Sequence, residues 1–434
     1  MMNDKFSEAN TQNAQRKTLN VDIPGSKSIA ARALVCRLLG GHDTVLTNLP
    51  DCGDTRGMLR LTEAIRHAQR QPSNVQRLTT TVDIGEGGTT LRFGMAACAS
   101  IPGLDITLTG SPRLMERPHD TLIHALRDMG ADLTILPEQN AIHIRGRELS
   151  GGVLRLDGSV SSQYLSALML AAPTWKADTR FILEGHVVSR PYIEMTAGVM
   201  SAFGADVQVG THGPCVRATG YAQCARYDIE GDWSGASYFF ELRLIADALG
   251  LDLSVFEMPT LKSPAESLQG DSRVAVIFAQ ASRQRTHEPC VPSDTQTSNV
   301  QRPASSVQLN LNDAPDLVPA VAVGLCVSGI PFRIDGVAHL RHKESDRMAA
   351  IATELRRLGY VIACGDDYMD WEGSRCEPEA EPLIRTYMDH RMAMAFAPAK
   401  LAFPKLRIED PSVVEKSFPD FWNQLKAACP HSED

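Results

Sequence analysis

The chain has no apolar run long enough to cross a bilayer. Its longest, Leu317–Ile330, is broken by Pro319, Gly324, Ser328 and Gly329. The opening residues, MMNDKFSEANTQNAQRK, have no apolar centre, so no secretory signal is expected. Ten cysteines are present, but there is no CxxC pair and no Cys/His cluster at metal spacing. That argues against a zinc site and a disulfide framework and fits reduced thiols in a cytosol. Nor is positive charge in excess. A net charge of -9 argues against nucleic acid and acidic membrane surfaces as partners. The expectation is a soluble, cytoplasmic protein.

What is present is an ordinary globular composition, 43% hydrophobic and 22% charged, over 434 residues, enough for two or three domains. Residues 1–17 are polar and read as a disordered segment. After them β-rich apolar runs alternate with helical patterns, which predicts α/β architecture. A helix running into glycine and then a strand recurs at Leu122–Leu136, Ala197–Val209 and Ile351–Ala363. The marker glycines are Gly130, Gly204 and Gly359, spaced by 74 and 155 residues, the second close to twice the first. The helix-like Ser272–Gln280 fills the halfway slot, and Leu59–Gln69 reads as an earlier copy. The pattern is that of about six units of roughly 75 residues, packed as two clusters of three. Gln71–Gln76 is a polar break, and 283–306, with three prolines, reads as a mobile loop.

A second repeat organises the chemistry. Val21–Gly41 reads as a short strand, a turn at Pro24-Gly25, and a helix opening on Ser-Lys-Ser and closing at Gly40-Gly41. Ile29, Ala33 and Cys36, widened by Leu34 and Leu38, form its apolar face. A helix start carries unsatisfied N–H groups and the positive end of the dipole, so it favours anions. Here Lys27 and Arg32 add positive charge. A Walker loop is absent. Similar strand-to-helix openings occur at Asp83–Arg92, Leu156–Leu165 and Ile229–Phe240, with a looser one at Thr386–Met394. Helix starts gathered in this number suggest a site for polyanionic small molecules.

Other residues gain meaning only in combination. Arg117, in LMERP, reads alone as a surface arginine. In HKESDR, Glu344 and Arg347 share one side of a predicted first turn, where a glutamate also suits a capped helix. Asp389-His390-Arg391 joins an imidazole to a guanidinium at a helix start. Asp316 follows an alternating run, and Lys416 stands alone near the C-terminus.

Taken together, GSKSIAARAL, GEGGTTLRF, GSPRLMERP, DGSVSSQYLSALMLAAP, SRPYIEM, EGDWSGASYF, SLQGD, APDLVPA, HKESDR, DHRMAMAFA and EKSFPDF resemble, in order, the motifs of the EPSP synthase (3-phosphoshikimate 1-carboxyvinyltransferase) family. They cover about residues 20–425. The resemblance implies an α/β fold of two globules, each of three βαβαββ repeats, an inside-out α/β barrel arrangement. The N-terminal globule would comprise 25–232, and the C-terminal one would be discontinuous, 18–24 plus 233–434. The activity implied is transfer of the enolpyruvyl group of phosphoenolpyruvate to the 5-hydroxyl of shikimate 3-phosphate, without a metal or organic cofactor. A monomer is expected, because closure between two globules supplies the site without a partner.

Carried over motif by motif, shikimate 3-phosphate would be held by Lys27, Ser28, Arg32, Ser161, Ser162, Gln163, Ser189, Asp316 and Lys343. Phosphoenolpyruvate would be held by Lys27, Gly88, Arg117, Gln163, Arg347, His390, Arg391 and Lys416. Asp316 would take the hydroxyl proton, with Glu344 and Lys27 as candidates for protonating the methylene carbon. The sequence departs from the family pattern at Ala31, Glu86, Phe93 and His339. Glu86 is expected either to pair with a cation, Lys27 or Arg117, or to point away from the ligand. Two other readings compete. UDP-N-acetylglucosamine 1-carboxyvinyltransferase would have a cysteine in the loop Gly110–Pro118, which has none, and a non-catalytic relative would not need Lys27, Asp316 and Glu344 together.

Overall fold

The computed structural model describes residues 18–70, 80–158, 161–185, 187–285, 306–343 and 345–429. The expectations for 1–17, for Gln71–Gln76, for most of the 283–306 loop and for Glu344 lie outside them. Arg283 itself belongs to a helix, so the start of that predicted loop is helical.

Helices are α1 Lys27–Gly40, α2 Gly53–Arg70, α3 Gly88–Ala99, α4 Pro112–Met115, α5 Asp120–Asp128, α6 Ser162–Ala171 and α7 Arg190–Ala202, then α8 Trp233–Leu249, α9 Val274–Arg285, α10 Val318–Val327, α11 Arg347–Arg357, α12 His390–Phe396 and α13 Phe421–Ala428. Three four-stranded sheets repeat one plan. In the first, Thr80–Asp83 pairs in parallel with Asp105–Thr109, which pairs antiparallel with Ala141–Arg145, and that with Asp132–Leu136. Gly152–Asp157, Thr179–Glu184, Gly213–Val216 and Val207–Gly210 follow the same order. So do Val307–Asn310, Phe332–Asp335, Tyr368–Trp371 and Ala363–Cys364. A helix crosses between the parallel strands and another precedes the antiparallel pair, which makes each a βαβαββ unit. The remaining strands form two-stranded parallel pairs.

The marker glycines have a physical reason. Gly130, Gly204 and Gly359 all have positive φ, at 97°, 78° and 89°, and each ends a helix just before its strand.

Buried apolar residues form two clusters. One runs from Ile29 to Ile229. The other joins Val21 and Ile23 to residues from Trp233 to Cys429. The chain passes between them twice, and the passages touch at an antiparallel bridge, Gly25 to Gly231. A Cβ on Gly25 would stand 1.9 Å from the Asn48 carbonyl oxygen, so only glycine fits there.

One local expectation changes. Helix α1 was predicted to be amphipathic, yet Ala30, Ala31, Arg32 and Val35 are buried as well as its apolar face. It packs against α2, α3, α6 and α7, which cover it nearly all round.

Candidate active site

Helix starts converge on one cleft. The first turns of α1, α3, α6, α7, α11 and α12 line a single cavity of about 310 Å³, with residues from both the earlier and the later part of the chain. It is lined by Lys27, Ser28, Arg32, Gly88, Arg117, Ser161, Ser162, Gln163, Ser189, Asp316, Lys343, Arg347, His390, Arg391 and Lys416. These are the residues singled out from the sequence, with Glu344 alone outside the described residues. The start of α8 is the exception among the anticipated helix openings. It faces a separate small recess through Asp232 and Ser234.

The cavity is strongly cationic. Against its lysines and arginines stand two carboxylates among the described lining residues, Asp54 and Asp316. Lys27 Nζ lies 2.8 Å from Asp54 Oδ2. Burial is the largest single influence and would lower the Lys27 pKa, but the charge and hydrogen bond of Asp54, with Cys52, together hold the ammonium above the ordinary lysine range. Lys27 therefore presents a charged donor to the cavity.

Asp316, in the 3-10 turn Pro315–Leu317 that leads into α10, is the more heavily partnered of the two lining carboxylates. It accepts from Arg347 Nη1 at 2.9 Å, Arg391 Nη2 at 2.8 Å and the Tyr192 hydroxyl at 3.0 Å. Arg347 opens α11 and is itself clamped by Asp389, the cap of α12, whose side chain also accepts from Arg391 N. Helix α11 begins at Arg347, with Asp346 as its cap, later than the predicted opening at His342. His390 Nδ1 is 3.7 Å from Asp389 Oδ1. Arg391 stays fully charged. Burial, the largest single influence, opposes its charge, but Asp316 together with Tyr238, Tyr192 and Asp271 raises its pKa well above the usual value.

On the other wall, Arg32 spends three of its donor groups internally, on Thr196 Oγ1, the Ser28 carbonyl and Ser166 Oγ. Its guanidinium lies 5.3 Å from the centre of the Phe93 ring and 5.9 Å from that of Tyr192. Phe93, one of the departures from the family pattern, thus serves as a platform for Arg32. Gln163 accepts from Arg92, whose guanidinium stacks 5.2 Å from the Tyr164 ring centre. A Cβ on Gly88 would approach Arg92 Nη1 to 2.9 Å and Arg117 Nη1 to 3.0 Å, so the missing side chain lets two guanidinium groups close over the start of α3. Ser189 caps α7 at a φ of 55°, an uncommon conformation for a serine and a sign of constraint at the site.

Sequence reasoning missed several residues. Asp54 and Arg92 line the cavity and hold Lys27 and Gln163, and Tyr192 holds Asp316. Tyr192 and Arg92 stood inside quoted motifs. Asp54, at the start of α2, gave no signal because one acid in a first helical turn is ordinary. His339 lines the cavity with Nε2 unpartnered among the described residues, its pKa pulled down to about 4 by burial and then by Lys343. Glu86 is exposed and forms no ion pair among the described residues. Lys27 pairs with Asp54 instead.

The fold and the cleft define a class: a two-core α/β protein built from βαβαββ units, with a cationic cavity for polyanions between its cores. Comparison with known proteins narrows it. The EPSP synthase (3-phosphoshikimate 1-carboxyvinyltransferase) family model matches residues 11–425. A 3-phosphoshikimate 1-carboxyvinyltransferase of Bacteroides fragilis is 36% identical over 94% of each chain. One from Photobacterium damsela is 34% identical, covering 94% of this chain and 96% of the relative. The chain belongs to the EPSP synthase family. Its fold is similar to that of EPSP synthase from Acinetobacter baumannii, with a TM-score of 0.67 at 19% identity over 95% of this chain and 96% of that one. The enolpyruvyl transferase NikO from Streptomyces tendae aligns with a TM-score of 0.64 at 13% identity, over 96% of this chain and 95% of that one.

Proposed function

We infer that the protein transfers the enolpyruvyl group of phosphoenolpyruvate to the 5-hydroxyl of shikimate 3-phosphate, releasing phosphate. The observation that carries this reading is Asp316, a carboxylate gripped by two guanidinium groups and a tyrosine hydroxyl in a cavity rich in lysine and arginine, whose other described carboxylate, Asp54, is paired with Lys27. Such a cavity favours two dense anions and keeps one carboxylate in reach of a hydroxyl.

In this mechanism Lys27, Ser28, Arg32, Ser161, Ser162, Gln163, Ser189 and Lys343 hold shikimate 3-phosphate beside Asp316. Phosphoenolpyruvate takes Lys27, Gly88, Arg117, Gln163, Arg347, His390, Arg391 and Lys416. Its carboxylate and phosphate draw Arg347 and Arg391 onto themselves, and Asp316 exchanges its guanidinium partners for the 5-hydroxyl. Asp316 then accepts the hydroxyl proton as oxygen attacks the C2 carbon, and Glu344 or Lys27 protonates C3. The surrounding arginines stabilise the charge of the tetrahedral adduct. Loss of the C3 proton with departure of phosphate completes the exchange. No metal or organic cofactor enters these steps.

The two apolar clusters support a division into an N-terminal globule, 25–232, and a discontinuous C-terminal one, 18–24 plus 233–434. Both contribute residues to the cavity, which supports a monomer as the active form, and a cytoplasmic location belongs to the same reading. Phosphate release is the test. It should require both substrates together, and neither substrate alone, nor UDP-N-acetylglucosamine in place of shikimate 3-phosphate, should support it.

A further inference from the structure

Beside the main cavity lies a second, much smaller recess of about 10 Å³. Ser26, Tyr192, Asp232, Ser234, Gln269 and Asp271 are among the residues around it. Tyr192 lines this recess and the main cavity alike, and its hydroxyl donates to Asp316. Asp271 is 4% exposed and accepts from the Ser234 hydroxyl. Ser26 is 0% exposed, and its hydroxyl has no hydrogen-bond partner among the described residues. The turn carrying Asp271 is pressed against α7, since a Cβ on Gly270 would stand 2.6 Å from Pro191 Cβ, next to Tyr192. Asp271 and the carboxylate proposed as base therefore line two neighbouring pockets that share the Tyr192 side chain as a wall.

We propose that Asp271, which shares the Tyr192 wall with Asp316, is a positioning residue for Asp316, its charge setting how strongly Asp316 draws the proton from the bound hydroxyl. The proposal rests on the reading of Asp316 as base. The groups that act on Asp271 are Ser234 and Asp232 at the start of α8, Asp316 before α10 and Arg391 on α12, with Tyr192 on α7 at the shared wall. Arg273, on its own turn, is exposed. Burial first, then the Asp316 charge, pushes the Asp271 carboxyl up to about 7, while the Ser234 hydroxyl and Arg391 oppose that rise. Above that range Asp271 is ionised, and the added negative charge makes proton acceptance by Asp316 more favourable. Below it Asp271 is neutral and the help is lost. The Tyr192 hydroxyl remains a donor throughout, because burial and both carboxylates raise its pKa well above the ordinary tyrosine value.

The test is kcat against pH, from about 5.5 to 9, in the full chain. In the parent, kcat should rise through a limb near neutrality. Asp271→Asn keeps an acceptor for Ser234 but cannot ionise, so it should lack that limb. It should run roughly 3- to 10-fold below the parent at the alkaline end, with KM for both substrates within about twofold. Ser234→Ala keeps the carboxyl and removes a bond that favours its ionised form, so the limb should move to higher pH by about half a unit. An Asp271→Asn profile parallel to the parent's, or a change confined to KM, would overturn the proposal. If that variant does not fold, the Ser234→Ala profile decides alone, and an unmoved limb overturns it. Asp316→Asn separates the two readings. Parent-like turnover there removes Asp316 as base, whereas its loss alongside an unchanged Asp271→Asn profile leaves the base standing and removes Asp271.

Discussion

Arg347 and Asp389 form a fork in the interior of the site, with Nε 2.7 Å from Oδ2 and Nη2 3.3 Å from Oδ1, at 1% and 0% side-chain exposure. Asp389 does more than cap α12. It supplies a buried counter-charge that aims the remaining Arg347 nitrogen at Asp316. Asp389→Asn would leave a guanidinium in the interior with much of its compensation gone. The unfolding free energy in urea should fall by about 3 kcal/mol or more. A loss below about 1 kcal/mol would mean that Asp316 alone is enough to hold Arg347.

Glu344, two residues before the cap of α11, is proposed, with Lys27, as a candidate proton donor to the methylene carbon. Glu344→Gln preserves shape and removes the titratable proton. Turnover should drop by roughly a hundredfold or more while shikimate 3-phosphate still binds. Calorimetric binding alongside steady-state rates separates the two effects, and near-parent turnover would remove Glu344 from the chemistry.

Glu86 shares a shallow recess with Arg113, Arg117, Lys343 and Lys416 at the edge of the main cavity. Because it is exposed, its repulsion of an anion is screened. At about 6 Å in a water-like dielectric the effect is roughly 0.7 kcal/mol per unit charge. Glu86→Gln should therefore lower KM for phosphoenolpyruvate by about threefold, and less at high salt. An unchanged KM at low salt would place Glu86 outside the reach of the ligand.

Much of this architecture was legible in the sequence, because the signals are local. Glycines such as Gly130 and Gly359 mark helix ends wherever they fall, and motifs such as DGSVSSQYL and DHRMAM read as helix starts. What was not legible depends on distant partners. Lys27 and Asp54 are 27 positions apart, and Tyr192 and Asp316 are 124 apart. Nothing in either member of such a pair announces the other. The all-round burial of α1 was missed for the same reason, since it is imposed by helices that come later in the chain.

The pH dependence of stability should carry the mark of Glu241. It is fully buried in α8, with Gly324 against its Cγ, and neither carboxyl oxygen has a hydrogen-bond partner among the described residues. Burial raises its pKa well above the ordinary glutamate value. The folded state therefore keeps a proton that the unfolded chain releases above its ordinary pKa, and stability declines as pH rises beyond that point. Glu241→Met replaces the carboxyl with an apolar group of similar size. It should stabilise the protein by about 1–3 kcal/mol at pH 8 and by less at pH 5. Equal urea midpoints for parent and variant at pH 8 would contradict this.

The central claim is that one cationic cleft joins two anions with loss of phosphate. Phosphorus NMR of the protein with shikimate 3-phosphate and phosphoenolpyruvate tests it most directly. The account predicts that the phosphoenolpyruvate signal decays while inorganic phosphate and a new phosphate-ester signal grow in equal amounts, and that Asp316→Asn slows this by roughly a hundredfold or more. Phosphate appearing without the new ester, or no change in either substrate over many hours, would contradict it.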